Sequence, residues 1–264
     1  MKFSVLMPVH NGIKFSDLEN SLRSILNNSK KFDDFVIIVD GIVDKKKKNL
    51  FFKLKNNKRI KIYYKKKTSL SKILNFGLNK TKNDLVFRCD ADDKNSKKRF
   101  EEQLKFFKNN KLDILGSNLC EKFEGKKLVK IMPKYIFLIN LIFRNPVNHM
   151  TVIYNKKKIL KIGGYPEIPF MEDYALWLMS FMNKLKIGNI QKTLVYSNLD
   201  INTFKRRRNL KTIQSEFYLL FFLMKNNFLL SLIFVIPITL RILSKILPLD
   251  MFKILYISFR KNND

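Results

Sequence analysis

The chain has 264 residues, of which 46% are hydrophobic and 24 are Phe; that is enough for one large α/β domain, or a domain with an appendage, and it excludes wholesale disorder. Lys and Arg number 52 against 22 Asp and Glu, so the formal net charge of +30 attracts nucleic acid, nucleotides and anionic lipid without distinguishing them. Two cysteines, Cys89 and Cys120, exclude a disulfide framework and offer no metal-ligand spacing.

Phe3 to Val9 predicts a short strand that His10-Asn11-Gly12 stops, and its apolar run is too short for a signal peptide, so the catalytic part is expected in the cytoplasm. Leu18, Leu22, Ile25 and Leu26 are spaced for one helical face. Phe35 to Val39 predicts a buried parallel strand ending at Asp40-Gly41, and Arg59 to Tyr64 a weaker third strand. Ser69 to Leu78 predicts a helix, Asp84 to Cys89 a fourth strand, Lys97 to Lys108 another helix and Leu112 to Gly116 a further strand. Residues 125–160 are less regular, and a helix is expected from about Glu172 to Met182. Strands separated by helices imply βαβ units and a Rossmann-like, mostly parallel sheet, in which ligands sit beyond the carboxyl ends of the strands.

The polar residues fall at those ends: His10 and Asn11, then Asp40, then Asp90-Ala91-Asp92-Asp93. Three carboxylates in four residues repel one another unless a cation neutralises them. A divalent ion would join such a carboxylate to a diphosphate. Glu172-Asp173 is a second acidic pair, in a helix's first turn, where the dipole favours it and where a carboxylate can serve as general base. Trp177, one turn on, is either a platform for a sugar ring or a core residue. His149 stands alone, as a phosphate contact, a single ion ligand or a loop-ordering hydrogen bonder. No G-x-x-x-x-G-K-[ST] or G-x-G-x-x-G loop occurs.

From Phe217 the chain becomes apolar and basic, with an uncharged stretch from Phe228 to Leu240 containing Pro237. That stretch falls short of the length of a bilayer span and suits a helix lying in the membrane interface; a packing hairpin, as in a homodimer, and a tilted span are the alternatives. The division expected is a catalytic domain over 1–210 and a helical, membrane-associated tail over 211–264.

These segments resemble the family-2 inverting glycosyltransferases of GT-A fold, non-processive and of the bacterial surface-polysaccharide type, in lipopolysaccharide or capsule synthesis. Pro8-Val9-His10-Asn11 is similar to the family's Pro-x-x-Asn turn, and Val39-Asp40-Gly41 to its Asp-Gly signature, without the second Asp and the Ser. Ser71 to Asn79 resembles its Ala-x-Asn-x-Gly helix, with Asn75 and Gly77 retained. Phe87 to Asp93, followed by Arg99, Glu101 and Gln103, is the most specific match. Asn148-His149-Met150-Thr151, Gly163-Gly164-Tyr165 and Glu172-Asp173-Tyr174-Ala175-Leu176-Trp177 resemble later family segments. The likeness covers about residues 1–200, and no Gln-x-x-Arg-Trp motif of processive synthases is present.

The resemblance implies nucleotide-sugar contacts at Pro8, Val9, Asn11, Asp40, Asn75, Arg88, Asp90, Ala91 and Asp92. It also implies a Mn²⁺ or Mg²⁺ ion at Asp92, with Asp90, Asp93 or His149 as further ligand candidates. Asp173 becomes the catalytic base, with Glu172 and Trp177 on the acceptor side. The expected partners are a nucleotide-diphosphate sugar, a saccharide or lipid-linked saccharide acceptor and an anionic membrane surface, at the inner face of the cell membrane. A sugar-phosphate nucleotidyltransferase and a basic nucleic-acid-binding protein are the rivals. The second leaves the strand-end acids unexplained, because they repel phosphates without a cation.

Overall fold

The structure, a computed structural model, describes residues 1–262. The chain begins with alternating units: β1 (Ser4–His10), α1 (Phe15–Leu26), β2 (Asp34–Asp40), α2 (Lys45–Leu54), β3 (Ile60–Lys65), α3 (Leu70–Lys80) and β4 (Leu85–Arg88). β5 (Lys94–Asn95), α4 (Arg99–Asn109) and the hairpin of β6 (Ile114–Phe123) and β7 (Lys126–Lys130) follow. Next come α5 (Leu138–Phe143), β8 (Ile153–Asn155), α6 (Lys156–Lys161), α7 (Glu172–Met182) and β9 (Ile187–Asn198). The last elements are α8 (Ile201–Arg207), α9 (Leu210–Asn226), α10 (Phe228–Ile246), α11 (Leu249–Ser258) and β10 (Lys261–Asn262).

One sheet runs β10-β7-β6-β8-β4-β1-β2-β3, with β9 beside β6. The pairs β3-β2, β2-β1 and β1-β4 are parallel, as the βαβ pattern implies. Beyond β4 the sheet becomes mixed: β8 is antiparallel to both β4 and β6, whereas β9 runs parallel to β6. Alternation along β1 builds two cores. Leu6 faces a cluster with α3, α7, α9 and α10, while Val5 and Met7 face α1, α2 and α4. Gly77 lets α3 lie close on the sheet, since a Cβ there would sit 2.4 Å from Leu6 Cδ1.

Several elements differ from the sequence expectation. The strand expected to end at Gly116 continues to Phe123 and turns back through Glu124 and Gly125, both at positive φ, as a two-residue hairpin of that hand requires. Lys45–Lys48, for which the sequence suggested no element, opens α2, whose N-cap Asp44 accepts from the Lys47 backbone N–H at 2.9 Å. The uncharged stretch from Phe228 extends to the 19-residue helix α10, which contains Pro237 and carries on through Arg241 and Lys245. It continues because those cations turn inward: Arg241 Nε and Lys245 Nζ donate to the buried Glu216 of α9 at 3.0 and 2.7 Å. By length and composition α10 suffices to cross a membrane. Its inner face, with Leu230, Phe234 and Ile238, nevertheless joins Leu219 and Leu223 of α9 in the same core as α7.

Candidate active site

The acidic run follows the carboxyl end of β4, the last of the parallel strands, beside β1. Asp90, Asp92 and Asp93 each offer a carboxylate oxygen within 4.8 Å of the others, and His149 is not among them. α1 fixes the loop from one side: Ser21 Oγ donates to Asp90 O at 2.7 Å, and Ser24 Oγ accepts from the Asn95 backbone at 2.9 Å. α4 fixes it from behind. Arg99 is fully buried and donates through Nη2 to Arg88 O at 2.9 Å and through Nε to Gln103 Oε1 at 3.0 Å. Gln103 Nε2 in turn donates to Thr151 O at 2.8 Å. Arg99 and Gln103 therefore shape the acidic loop rather than line it.

Arg88 is buried and forms an ion pair with Asp90, but its Nε finds no hydrogen-bond partner. Burial and the charge of Asp90 push the Asp92 carboxyl up to about 6. Asp93 goes well above the ordinary carboxylate range, by burial and by the charges of Asp90 and Asp92. Asp93 Oδ2 is buried with no partner. Crowded hard oxygen donors, a raised carboxyl and an orphaned oxygen fit a divalent cation of the Mg²⁺ or Mn²⁺ kind.

Around this centre, Pro8 is partly exposed near the end of β1, while the side chains of Val9 and Ala91 lie in the core. Asn11 is held by α2: its Oδ1 accepts from Asp44 N at 3.3 Å, and its carbonyl from Lys47 Nζ at 2.9 Å. Asp40 Oδ1 accepts from Thr68 N at 2.9 Å. Asn75, expected at the nucleotide, is engaged by the backbone of Tyr165. Its Oδ1 accepts from Tyr165 N at 2.8 Å and its Nδ2 donates to Tyr165 O at 2.9 Å, so its amide clamps the Gly163-Gly164 turn.

The second acidic pair opens α7. Asp173 Oδ2 accepts from Asn145 Nδ2 and Oδ1 from the Tyr174 backbone N–H, both at 2.7 Å. Burial raises the Asp173 carboxyl, and burial with the neighbouring Asp173 charge takes Glu172 up to about 7. The charge of Arg88 acts on both, and Glu172 also feels Asp90, so the two acidic groups share one electrostatic neighbourhood centred on Arg88. Trp177 corrects the expectation of a sugar platform. It has no exposed surface and sits in the core, its ring edge-on to His149 at 6.3 Å. His149 is buried too, its Nε2 paired with Tyr165 Oη at 3.0 Å, and burial holds its imidazole well below the usual range. A neutral, loop-ordering histidine results.

Arg206 of α8 was legible only as bulk charge, yet its field reaches both His10 and Asp92. A local signal for that helix exists. The Asp200 carboxylate accepts from the Thr203 backbone N–H at 2.8 Å and so caps the turn that presents Arg206.

A family model described as Glycosyl transferase family 2 matches residues 4–164. The UDP-Gal:alpha-D-GlcNAc-diphosphoundecaprenol beta-1,3-galactosyltransferase of Escherichia coli is 36% identical over 94% of this chain and 92% of its own length. Amylovoran biosynthesis glycosyltransferase AmsE of Erwinia amylovora is 28% identical over 98% of this chain and 99% of its own. The crystal structure of S. aureus TarS 1-349 in complex with UDP-GlcNAc superposes with a TM-score of 0.68, covering 93% of this chain and 72% of that one at 17% identity, a likeness of fold. The α/β sheet, the acidic run after β4 and these matches agree: the chain belongs to the family-2 glycosyltransferases and has their GT-A fold.

Proposed function

We propose that this glycosyltransferase moves a single sugar from a UDP-sugar to a hydroxyl of a lipid-linked saccharide, with inversion at the anomeric carbon, in the assembly of a surface polysaccharide. The observation that carries the reading is the pairing of two acidic groups about Arg88, one suited to a diphosphate with its cation and one suited to a proton. Support for donor and acceptor comes from the E. coli relative, whose name specifies UDP-Gal, a diphosphoundecaprenol-linked GlcNAc and a β-linked product.

The base of the donor lies against Asp40 and Asn11, and the diphosphate against Asp90, Asp92, Arg88 and the backbone of Val9 and Ala91. Asp92, with Asp90 or Asp93, would hold Mn²⁺ or Mg²⁺, which when bound offsets the charge of the departing diphosphate. Asp173 takes the proton of the acceptor hydroxyl as that oxygen attacks the anomeric carbon from the face opposite the nucleotide. Asn145 fixes the carboxylate's orientation, and burial raises its affinity for the proton, both of which suit a base. Glu172 stands beside it on the acceptor side. The exposed apolar side chains of α9, α10 and α11, Phe221, Leu229, Ile236 and Ile254 among them, lie on the membrane interface, so the enzyme works peripherally at the cytoplasmic face.

The test is a panel of nucleotide-sugars with Mn²⁺ or Mg²⁺ and a GlcNAc-diphospholipid acceptor, read as UDP release by wild type and D92N. Metal-dependent release that D92N lowers by about a hundredfold or more is expected, on the scale of losing a transition-state charge contact. Release from no donor by folded protein, or equal release by D92N, contradicts it.

A further inference from the structure

Beside the acceptor side of the site lies a half-buried set of cations. Glu121 of β6 is buried and doubly satisfied, accepting from Arg260 Nε at 2.6 Å and from Tyr256 Oη at 2.8 Å. It pairs directly with Arg260, and its charge also reaches Lys130 and Arg207. The fields of Arg207 and Arg144 also converge with that of Arg260 on Lys130, which lies at the end of β7, the strand β10 pairs with. Among the described residues, Lys130, Arg144 and Arg207 form no salt bridge with a carboxylate. Their partners are neutral: Lys130 Nζ donates to Asn148 Oδ1 at 2.8 Å, Arg144 Nη2 to Ile131 O at 3.4 Å, and Arg207 to the Tyr256 hydroxyl. Burial is the main cause that presses the Lys130 ammonium down to about 7; Glu121 acts against it, and the charges of Arg260, Arg207 and Arg144 act with it.

This set borders the acceptor side of the site. Arg144 adjoins Asn145, which donates to Asp173, and the charge of Lys130 is felt at Asp173 itself. One carboxylate, Glu121, stands against Arg260, Lys130, Arg144 and Arg207, and the excess of half-buried positive charge beside a base calls for an anion that arrives with the substrate.

We propose that Lys130, Arg144 and Arg207 form a subsite for the phosphate groups that join the acceptor sugar to its lipid, a diphosphate or phosphodiester. The proposal rests on the reading of Asp173 as the base for a lipid-linked acceptor. It makes the acceptor's linkage, and not only its sugar, a determinant of specificity, and it gives one part of the net charge a defined ligand.

Two measurements test it. Inorganic pyrophosphate is titrated calorimetrically into protein saturated with UDP, so that the donor's phosphate positions are filled. Binding is expected in wild type, weakened on the order of tenfold in Arg144→Gln, about the worth of one charge-assisted hydrogen bond, and largely restored in Arg144→Lys. No binding by wild type, or equal binding by Arg144→Gln, overturns the proposal. Transfer is then compared on a hexyl-diphosphate-linked GlcNAc and on neutral hexyl GlcNAc. Arg144→Gln should raise the KM of the first on the order of tenfold, and leave the second and the donor KM unchanged. An equal rise for both acceptors overturns the subsite while leaving the transferase reading standing, whereas transfer to neither defeats that reading and leaves pyrophosphate binding to decide the subsite. Adsorption to phosphatidylglycerol vesicles should not change in Arg144→Gln; a loss there with an unaltered KM would assign these cations to lipid headgroups instead.

Discussion

At the residue scale, the raised carboxyls set a pH dependence whose sign follows from their direction. A cation must displace the proton from Asp92, whose pKa stands at about 6 rather than near 4, so Mn²⁺ affinity should fall as pH drops through about 6. Calorimetric titration at pH 5 and 7.5 measures this, and equal affinities would contradict it. Asp92, Asp93 and Glu172 all have folded-state pKa values above their unfolded ones, so each contributes stability at low pH that is lost as pH rises through the folded value. His149 and Lys130, lowered by burial, pull the other way, so the carboxyl contribution is read against Asp93→Asn: from pH 8 to pH 5.5 the melting temperature of metal-free wild type should shift upward relative to that variant's, and saturating Mn²⁺ should narrow the difference. Arg99→Met removes the cation from a fully buried network and leaves Gln103 Oε1 and the Arg88 carbonyl without their donors. A loss of about 3 kcal/mol in chemical denaturation is expected, with a weakened metal site.

At the element scale, the parallel half of the sheet was legible because its strands are continuous apolar runs closed by polar turns. α7 was legible to the residue, since Glu172-Asp173 precedes an unbroken apolar pattern. β9 was missed. Its Gly188, Asn189, Gln191, Lys192 and Thr193 break the alternation, and a register irregularity opposite Ser117–Leu119 is what lets it pair with β6. The acidic run and Asp173 stood out in the sequence as carboxylates at element ends, whereas the surroundings of Asn75 and Trp177 did not, because only tertiary contacts show that one clamps a turn and the other fills the core. In the tail, Glu216 binds α9 to α10, and Arg241 Nη1 also donates to Ile142 O of α5 at 3.1 Å. Glu216→Ala leaves Arg241 and Lys245 largely buried without their anion and should cost about 3 to 5 kcal/mol, read as a fall in the thermal midpoint. An unchanged midpoint would show that the hairpin is held by its apolar face alone.

At the scale of the whole molecule, charge and apolar surface act together. Family membership displaces the nucleotidyltransferase and nucleic-acid readings, so the charge of +30 is to be understood on a transferase. Adsorption to phosphatidylglycerol vesicles should exceed that to phosphatidylcholine and weaken from 0.15 M to 1 M salt, on the order expected from screening. Leu229→Asp with Ile236→Asp, both on exposed positions of α10, should reduce adsorption without lowering the thermal midpoint. In the proposed mechanism Asp173 removes the acceptor's proton while Asp90 and Asp92 hold the donor. The most direct test is Asp173→Asn, with transfer rate and UDP-sugar affinity measured on the same preparation. Transfer lost by about a thousandfold or more with donor affinity intact is the expected result. Transfer near the wild-type rate, or loss of donor binding in parallel with transfer, would contradict it.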